Sequence, residues 1–418
     1  MSGKALAAGA YRMSNPRLAP CGSLNHASLS LGRAEYNTEQ FSKSVSSDRS
    51  LQMNRLSILS ILLSGCALLN SFLYADDLQS RLKLNIETHR VFGSEHPGLY
   101  KHPASITELS NGDLYIAYYG GSGEYSTDTA VYGSRRKSGE TNWSPPAVIA
   151  DTPFHGDGNP VVWQAPDGMV WLFYVNLYGD TWSDARVKAK ISTDGAQTWS
   201  DSFMLSEEPG SMVRGKPIVL MDGDYLLPMY HETGDNQEVL APDTASYFLR
   251  FHPPTKKWTA TNRIHSKQGN LQPQVAQLTN EHLICFMRRG GGYGPASSGY
   301  IQRAESLDGG RKWSDAIDTE FRNPNSAVDV EKLKNGHLVL VYNDHMYERT
   351  PLSIAVSTDQ GKTFPYRRDI GGGENSFAYP YMIQTSDGKI LVLYTTNHRT
   401  SIMLAEFPES AILDMKRN

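Results

Sequence analysis

Cysteine is almost missing from this chain: Cys21, Cys66 and Cys285 are the three in 418 residues. Three thiols cannot make a disulfide framework, so the fold must stand on its own core. Charge of one sign is also missing. Forty Lys and Arg against 44 Asp and Glu leave a formal net charge of −4, which argues against a nucleic-acid binder, since those carry a basic excess. No alternation of strand and helix patterns is visible, which excludes a doubly wound α/β fold. His102, His155 and His231 have no ligand-like spacing, and no metal or cofactor motif stands out. What the chain does have is 36 glycines, 22 prolines and 22 tyrosines, a composition that suits many short strands joined by tight turns.

The one long apolar run lies near the N-terminus. Residues 1–52 are polar and without an apolar period, and residues 53–77 read MNRLSILSILLSGCALLNSFLYADD. Arg55 supplies a positive start, and an apolar stretch over 56–75 ends at Ala75, the pattern of a secretory signal. This places the start of translation at Met53 and makes residues 1–52 an extension outside the native protein. Leu63-Ser64-Gly65-Cys66 resembles a lipoprotein cleavage box, although the run continues past it. Cleavage after Ala75, lipidation at Cys66 and an uncleaved membrane anchor all stay open. Each exports the remaining domain, residues 82–410, to the periplasm, the outer membrane or the medium.

That domain repeats. Residues 377–395 read FAYPYMIQTSDGKILVLYT, and the pattern recurs at 100–119, 158–175, 214–230, 270–287 and 323–342. Prolines 103, 160, 217, 273 and 380, with Ser326 in the fifth place, mark the copies in steps of 53 to 57 residues. Most copies are two apolar strands around Asn111-Gly112, Asp167-Gly168, Asp222-Gly223, Asn335-Gly336 or Asp387-Gly388, the strongest short hairpin signal. A second element follows: STDGAQTWS at 192–200, SLDGGRKWS at 306–314 and STDQGKTFP at 357–365, with weaker forms at 134–144 and 252–259. These are Asp boxes, whose plain role is structural: a turn built by Asp and Gly, and an aromatic packed between repeats. Six hairpins, each extended by two further strands, predict an all-β, six-bladed β-propeller, with 82–92 and 401–407 completing the last blade.

In such a propeller the first strand of each blade lines the central channel and its start lies at one mouth. The Asp boxes fall on the opposite face. The mouth then collects Lys101, His102, Asn159, Arg214, Lys216, Gln272, Asn325 and Tyr379 from strand starts. Strand-two ends add Tyr119, Asn176, His231, Glu232, Arg288, Arg289, Asp344, His345, His398 and Arg399; Arg349 and the Glu124–Asp128 segment add to these. Arginine forks match carboxylates in two-point contact, so this cationic mouth predicts an anionic ligand, most simply a sugar acid. At least two of the cations are expected to pair with Glu124, Glu232 or Asp344, and any one mouth tyrosine can equally be packing.

Over residues 95–407 the chain resembles the sialidase superfamily, in its BNR-repeat branch. The resemblance implies three arginines around a substrate carboxylate, a tyrosine nucleophile activated by a glutamate, and an aspartate acid/base. Tyrosine suits an anomeric carbon that already bears a carboxylate, because a charged nucleophile would be repelled. Carried onto this chain, the resemblance makes Tyr379 the nucleophile and Arg288 and Arg349 the second and third arginines. Lys101, beside His102, stands where the first arginine belongs, and Arg214 lies among the substrate-binding positions. Gln272 replaces the glutamate, so the base must come from elsewhere, and Glu232 in the third blade is the candidate. Glu124 takes the acid/base position. The changed positions weaken a sialic acid assignment more than a glycan one. Three function classes stay open: a hydrolase acting on an acidic sugar, a lyase on a uronic acid polymer using Tyr379 with His102, His155 or His231, and a non-catalytic glycan-binding propeller.

Overall fold

The computed structural model describes residues 86–237, 239–294 and 299–414. The readings made for the N-terminal segment, including Cys66 and Ala75, lie outside the described residues. No helix among the described residues is long and apolar enough to cross a membrane.

Six antiparallel sheets follow one another along the chain. Blade one consists of Tyr100–Glu108, Leu114–Gly121, Ala130–Arg136 and Ala147–Ala150, and blade two of Gly156–Gln164, Val170–Leu177, Ala185–Ser192 and Phe203–Ser206. Blade three has a first strand in two pieces, Ser211–Val213 and Ile218–Val219, before Tyr225–His231, Ala245–His252 and Lys257–Ala260. Blade four runs Asn270–Gln277, Leu283–Arg289, Tyr300–Ser306 and Ile317–Arg322; blade five runs Asp329–Lys332, Leu338–Asn343, Leu352–Ser357 and Tyr366–Gly371. In blade six, Ala378–Gln384, Ile390–Thr396 and Ser401–Phe407 take their outer strand from the N-terminal side, Glu87–Phe92, which pairs antiparallel with Ser401–Phe407. The fold is a six-bladed β-propeller, and this pairing closes its ring.

The Asp boxes lie on the face away from the strand starts. Gly309 N–H, inside the box of blade four, donates to the carbonyl of Glu281 in that blade's first hairpin turn. Within each box the aspartate accepts from the backbone three and four residues on, as Asp194 does from Gln197 and Thr198. The box aromatics pack backwards onto the preceding blade: Trp199 against Tyr115, Trp313 stacked on Phe248 at 4.4 Å, and Phe364 against Phe286.

A second device stitches the blades on that same face. The end of one blade's first strand accepts a hydrogen bond from the hairpin turn of the blade before it. Gln164 Oε1 accepts from Ser110 N–H, Gln277 Oε1 from Met221 N–H, Gln384 Oε1 from Lys334 N–H, and Glu108 from Ser386 N–H across the ring closure. Gln277 is the most buried of these amides. Gln277→Ala is expected to lower the free energy of unfolding by about 1–2 kcal/mol in urea denaturation. Gln197→Ala, on an exposed Asp-box turn, should stay within about 0.5 kcal/mol. Equal losses in the two variants would remove this staple.

Proline at the head of the channel strands has a physical reason. Asn159, Gln272 and Tyr379 precede prolines, Asn325 precedes Ser326, and all four sit at positive φ, between 44° and 58°. The pairing register slips across Gly158/Val161, Leu271/Gln274 and Ala378/Tyr381, and also across Lys101/Ala104. Each is a bulge at the strand's start, where proline costs no ladder bond. Asn tolerates the left-handed region, whereas Gln and Tyr adopt it rarely. Held there by the sheet, these side chains converge at the axis.

Candidate functional site

Tyr379 lies at the centre of that convergence and is almost fully buried. Its hydroxyl accepts from Arg288 Nη1 at 2.8 Å. The Arg288 guanidinium is fixed on two further sides, with Nε donating to Asn325 Oδ1 at 2.6 Å and Nη2 to Tyr293 Oη at 2.8 Å. Arg349 stands 5.7 Å from the Tyr379 ring centroid and donates to the Asn325 carbonyl. Burial pushes the Tyr379 phenol up, but Arg288 and then Arg349 outweigh it. Together with a hydrogen bond from Gln272, they hold the phenol below its ordinary value.

A third arginine completes the pocket. Arg399 Nη1 donates to Glu124 Oε2 at 2.9 Å and to Tyr100 Oη at 3.1 Å, and Tyr100 O–H donates to the same carboxylate at 2.6 Å. The Lys101 backbone N–H anchors this arginine through its carbonyl at 2.7 Å. Tyr100, Glu124, Tyr293, Arg349, Tyr379 and Arg399 are among the residues around a cavity of about 410 Å³. A narrower recess continues from it past Tyr379 and is walled by Gln272, Tyr230, Trp182 and Glu232. Among the described lining residues, three arginines face two carboxylates.

The two carboxylates are unlike. Glu124 is locked by Arg399 and Tyr100. The Glu232 carboxylate makes no hydrogen bond or ion pair among the described residues, although its backbone N–H donates to the Gly210 carbonyl. Burial pushes its carboxyl up to about 7, with Arg288 opposing and Glu124 adding to the rise. A carboxyl that exchanges its proton near neutrality is suited to acid/base work.

Several expectations need correction. Lys101 does not face the pocket: its ammonium turns back to the Gly98 carbonyl, and Arg399 holds the place expected of it. Arg214 is not a ligand contact either. It is buried beneath Tyr379 and Tyr381, bonded to the carbonyls of Val328 and Pro380. Lys216 leaves the mouth altogether and pairs with Asp329 and Glu331 toward the opposite face. Arg289 is spent on the carbonyls of Asn323 and Gly290, His231 on Arg263 and Glu208, and Asp344 on Arg322.

His102 lies under the Tyr379 ring, centroids 4.0 Å apart, and not on the cavity wall. The Thr395 hydroxyl donates to the Ala378 carbonyl, so it accepts from His102 Nδ1–H at 2.8 Å. Burial, then Arg399, Arg349, Arg214 and Arg288, hold this imidazole well below its usual range. It is a neutral prop for Tyr379. Gln272 faces the site as expected, 3.5 Å from Arg288 Nη1, but no carboxylate hydrogen-bonds the Tyr379 hydroxyl among the described residues. Tyr293 and Trp182 escaped the sequence reading. The signal for Tyr293 was an aromatic in the Gly-rich stretch GGGYG directly after Arg289.

Residues 112–392 match the sequence profile of the BNR repeat-like domain. The chain belongs to that family. Curated proteins offer no match in sequence to this BNR repeat-like protein. Solved structures resemble it at low identity. A Hadza microbial sialidase superposes with a TM-score of 0.65 at 18% identity, covering 78% of this chain and 69% of that one. The intramolecular trans-sialidase of Ruminococcus gnavus gives 0.62 at 13%, covering 78% and 98%. An α-L-arabinofuranosidase from Fusarium graminearum gives 0.58 at 16%, covering 78% and 99%. At these identities the BNR repeat-like chain shares their fold.

Proposed function

We propose that the protein is an exported glycoside hydrolase of the sialidase type that releases a terminal sugar acid. The observation that carries this reading is the placement of Arg288, Arg349 and Arg399 around Tyr379, whose phenol Arg288 and Arg349 pull below its ordinary value. Arg349 and Arg399 hold the substrate carboxylate. Arg288, already committed to Tyr379, Asn325 and Tyr293, steadies the nucleophile. The superposed Hadza sialidase and the arabinofuranosidase, both named as glycosidases, support the hydrolase class.

The chemistry is a double displacement. Tyr379 attacks as the phenolate that Arg288 and Arg349 favour: its oxygen bonds to the anomeric carbon as the glycosidic C–O bond breaks, and Glu232 gives its proton to the departing oxygen. Water then attacks the same carbon while Glu232 takes its proton, and the bond to Tyr379 breaks. Glu124 is not the acid in this scheme: its Oε2 is taken up by donors from both Arg399 and Tyr100. It orients Arg399 instead.

Arg349→Ala should weaken binding of an acidic substrate about 30- to 100-fold, the effect of removing one member of a buried charged contact. Turnover of sialyl-, uronyl- and neutral aryl glycosides by the parent and this variant tests it. Equal rates on acidic and neutral substrates would overturn the anion site. A product absorbing in the ultraviolet would instead make the protein a uronate lyase, and binding without product would make it a lectin-like propeller.

A further inference from the structure

We infer that the mouth face carries a second sugar subsite beside blade two, built from Tyr178, His155, Phe154, Arg186 and Lys188, which takes another acidic residue of the same oligosaccharide. The inference rests on the reading of the pocket as a sugar-acid site.

Phe154 is 91% exposed and sits at φ 67°. A bulky residue rarely occupies that region, and the strain is offset by no packing of its own side chain. Next to it, the His155 ring lies on Tyr178 with centroids 4.7 Å apart, and its Nδ1 lies 3.2 Å from the Leu177 carbonyl, at hydrogen-bond distance. Tyr178 remains 44% exposed. Arg186 and Lys188 stand two residues apart on one strand and so share a face. Their charges lie 5.6 and 5.8 Å from the Tyr178 ring centroid. Neither meets a carboxylate at ion-pair distance among the described residues. Arg186 donates to the carbonyls of Asp184 and Ala185, and Lys188 to the Thr152 hydroxyl.

Exposed aromatic rings offer sugars a flat apolar face, and cations kept free of protein carboxylates are available to an anion. Two chain segments tie this platform to the pocket. One runs from His155 to Asn159, the other from Tyr178 to Trp182, and Asn159 and Trp182 both wall the recess beside Tyr379. The His155–Asn159 segment enters the first strand of blade two and reaches at most about 13 Å, a separation that an oligosaccharide can bridge.

The test is calorimetric binding to Tyr379→Phe protein, using an α2,8-linked sialic acid trimer, a galacturonic acid trimer and the two monomers. One trimer should bind about tenfold more tightly than its monomer. Tyr178→Ala and Lys188→Ala, each added to that protein, should erase the trimer's advantage and leave monomer affinity unchanged. Equal affinity of monomer and trimer, or equal weakening of both by Tyr178→Ala, overturns the platform. Trimer binding that is lost with Tyr178→Ala but unaffected by adding Arg349→Ala overturns the pocket reading and leaves the platform standing. No binding of any probe overturns both.

Discussion

Tyr379→Phe should lower hydrolysis of an acidic glycan by about a thousandfold or more while the fold persists. Phenylalanine fills the same space above His102 and Arg214, so the ring contacts remain. The one lost group is the hydroxyl that accepts from Arg288 Nη1. That leaves one buried donor unpaired, worth about 1–3 kcal/mol, a small part of what a propeller with six packed blades can lose. The charges sharpen the expectation. A phenol held low by Arg288 and Arg349 spends more time as phenolate than an ordinary tyrosine, and the arginines that stabilise it also screen it from the substrate carboxylate. Gln272 therefore need not act as a base: its hydrogen bond serves the charged oxygen. Two measurements decide, turnover and thermal unfolding of the variant. If turnover stays near the parent's, the hydroxyl is a packing feature and the displacement scheme falls. If both collapse, Tyr379→Trp and Tyr379→Leu separate ring packing from chemistry, because under a purely structural role activity should follow stability through the series.

Much of this architecture was legible before any coordinates. Turn pairs such as Asp387-Gly388 and the Asp boxes report local backbone geometry, and local geometry is written in local sequence. Their spacing was enough for blade number and for which face gathers Tyr379, Arg288 and Arg349. The positions of Tyr379, Gln272 and Arg288 followed from strand order. Side-chain direction near the strand starts did not follow. A bulge inserts a residue and reverses the alternation that tells inside from outside. Lys101 and His102 were misplaced for that reason, since the register slips between Lys101 and Ala104. Blade three shows a stronger case. A Cβ on Gly215 would stand 2.5 Å from the Pro273 carbonyl oxygen and 2.7 Å from Pro228 Cβ. Backbone approach at that glycine breaks the first strand, and Arg214 and Lys216 then point down the axis and not up at the mouth. Arg399 was placed at the mouth from strand two of blade six, but its role as third arginine appears only where blades six and one meet at Glu124 and Tyr100. Contacts of that kind join residues nearly 300 positions apart in the chain, and a single sequence carries no record of them.

Glu232→Gln should abolish the alkaline limb of the pH–rate profile and cost about a hundred- to ten-thousandfold in kcat/KM on a natural glycan. The limb arises because Glu232 must carry a proton to release the leaving oxygen. With its carboxyl pushed up to about 7 by burial, parental kcat/KM should fall as pH rises through 7, far above the range of an ordinary glutamate. Glutamine cannot supply that proton, so the variant is slow at every pH and its profile has no break there. A 4-nitrophenyl glycoside needs little proton assistance to leave, and on it the variant should recover most of the parental first-step rate. Stability gives an independent reading. The folded carboxyl lies above its unfolded value, so its contribution is fully present below about pH 4.5 and is lost as pH rises through about 7. Glutamine never charges. The melting temperature of Glu232→Gln relative to the parent should therefore be higher at pH 8 than at pH 4.5. A limb near pH 7 that survives in the variant would assign the proton to another group. A melting difference that does not change with pH would show that Glu232 titrates like a solvent-exposed carboxylate, and the acid/base role would fall with it.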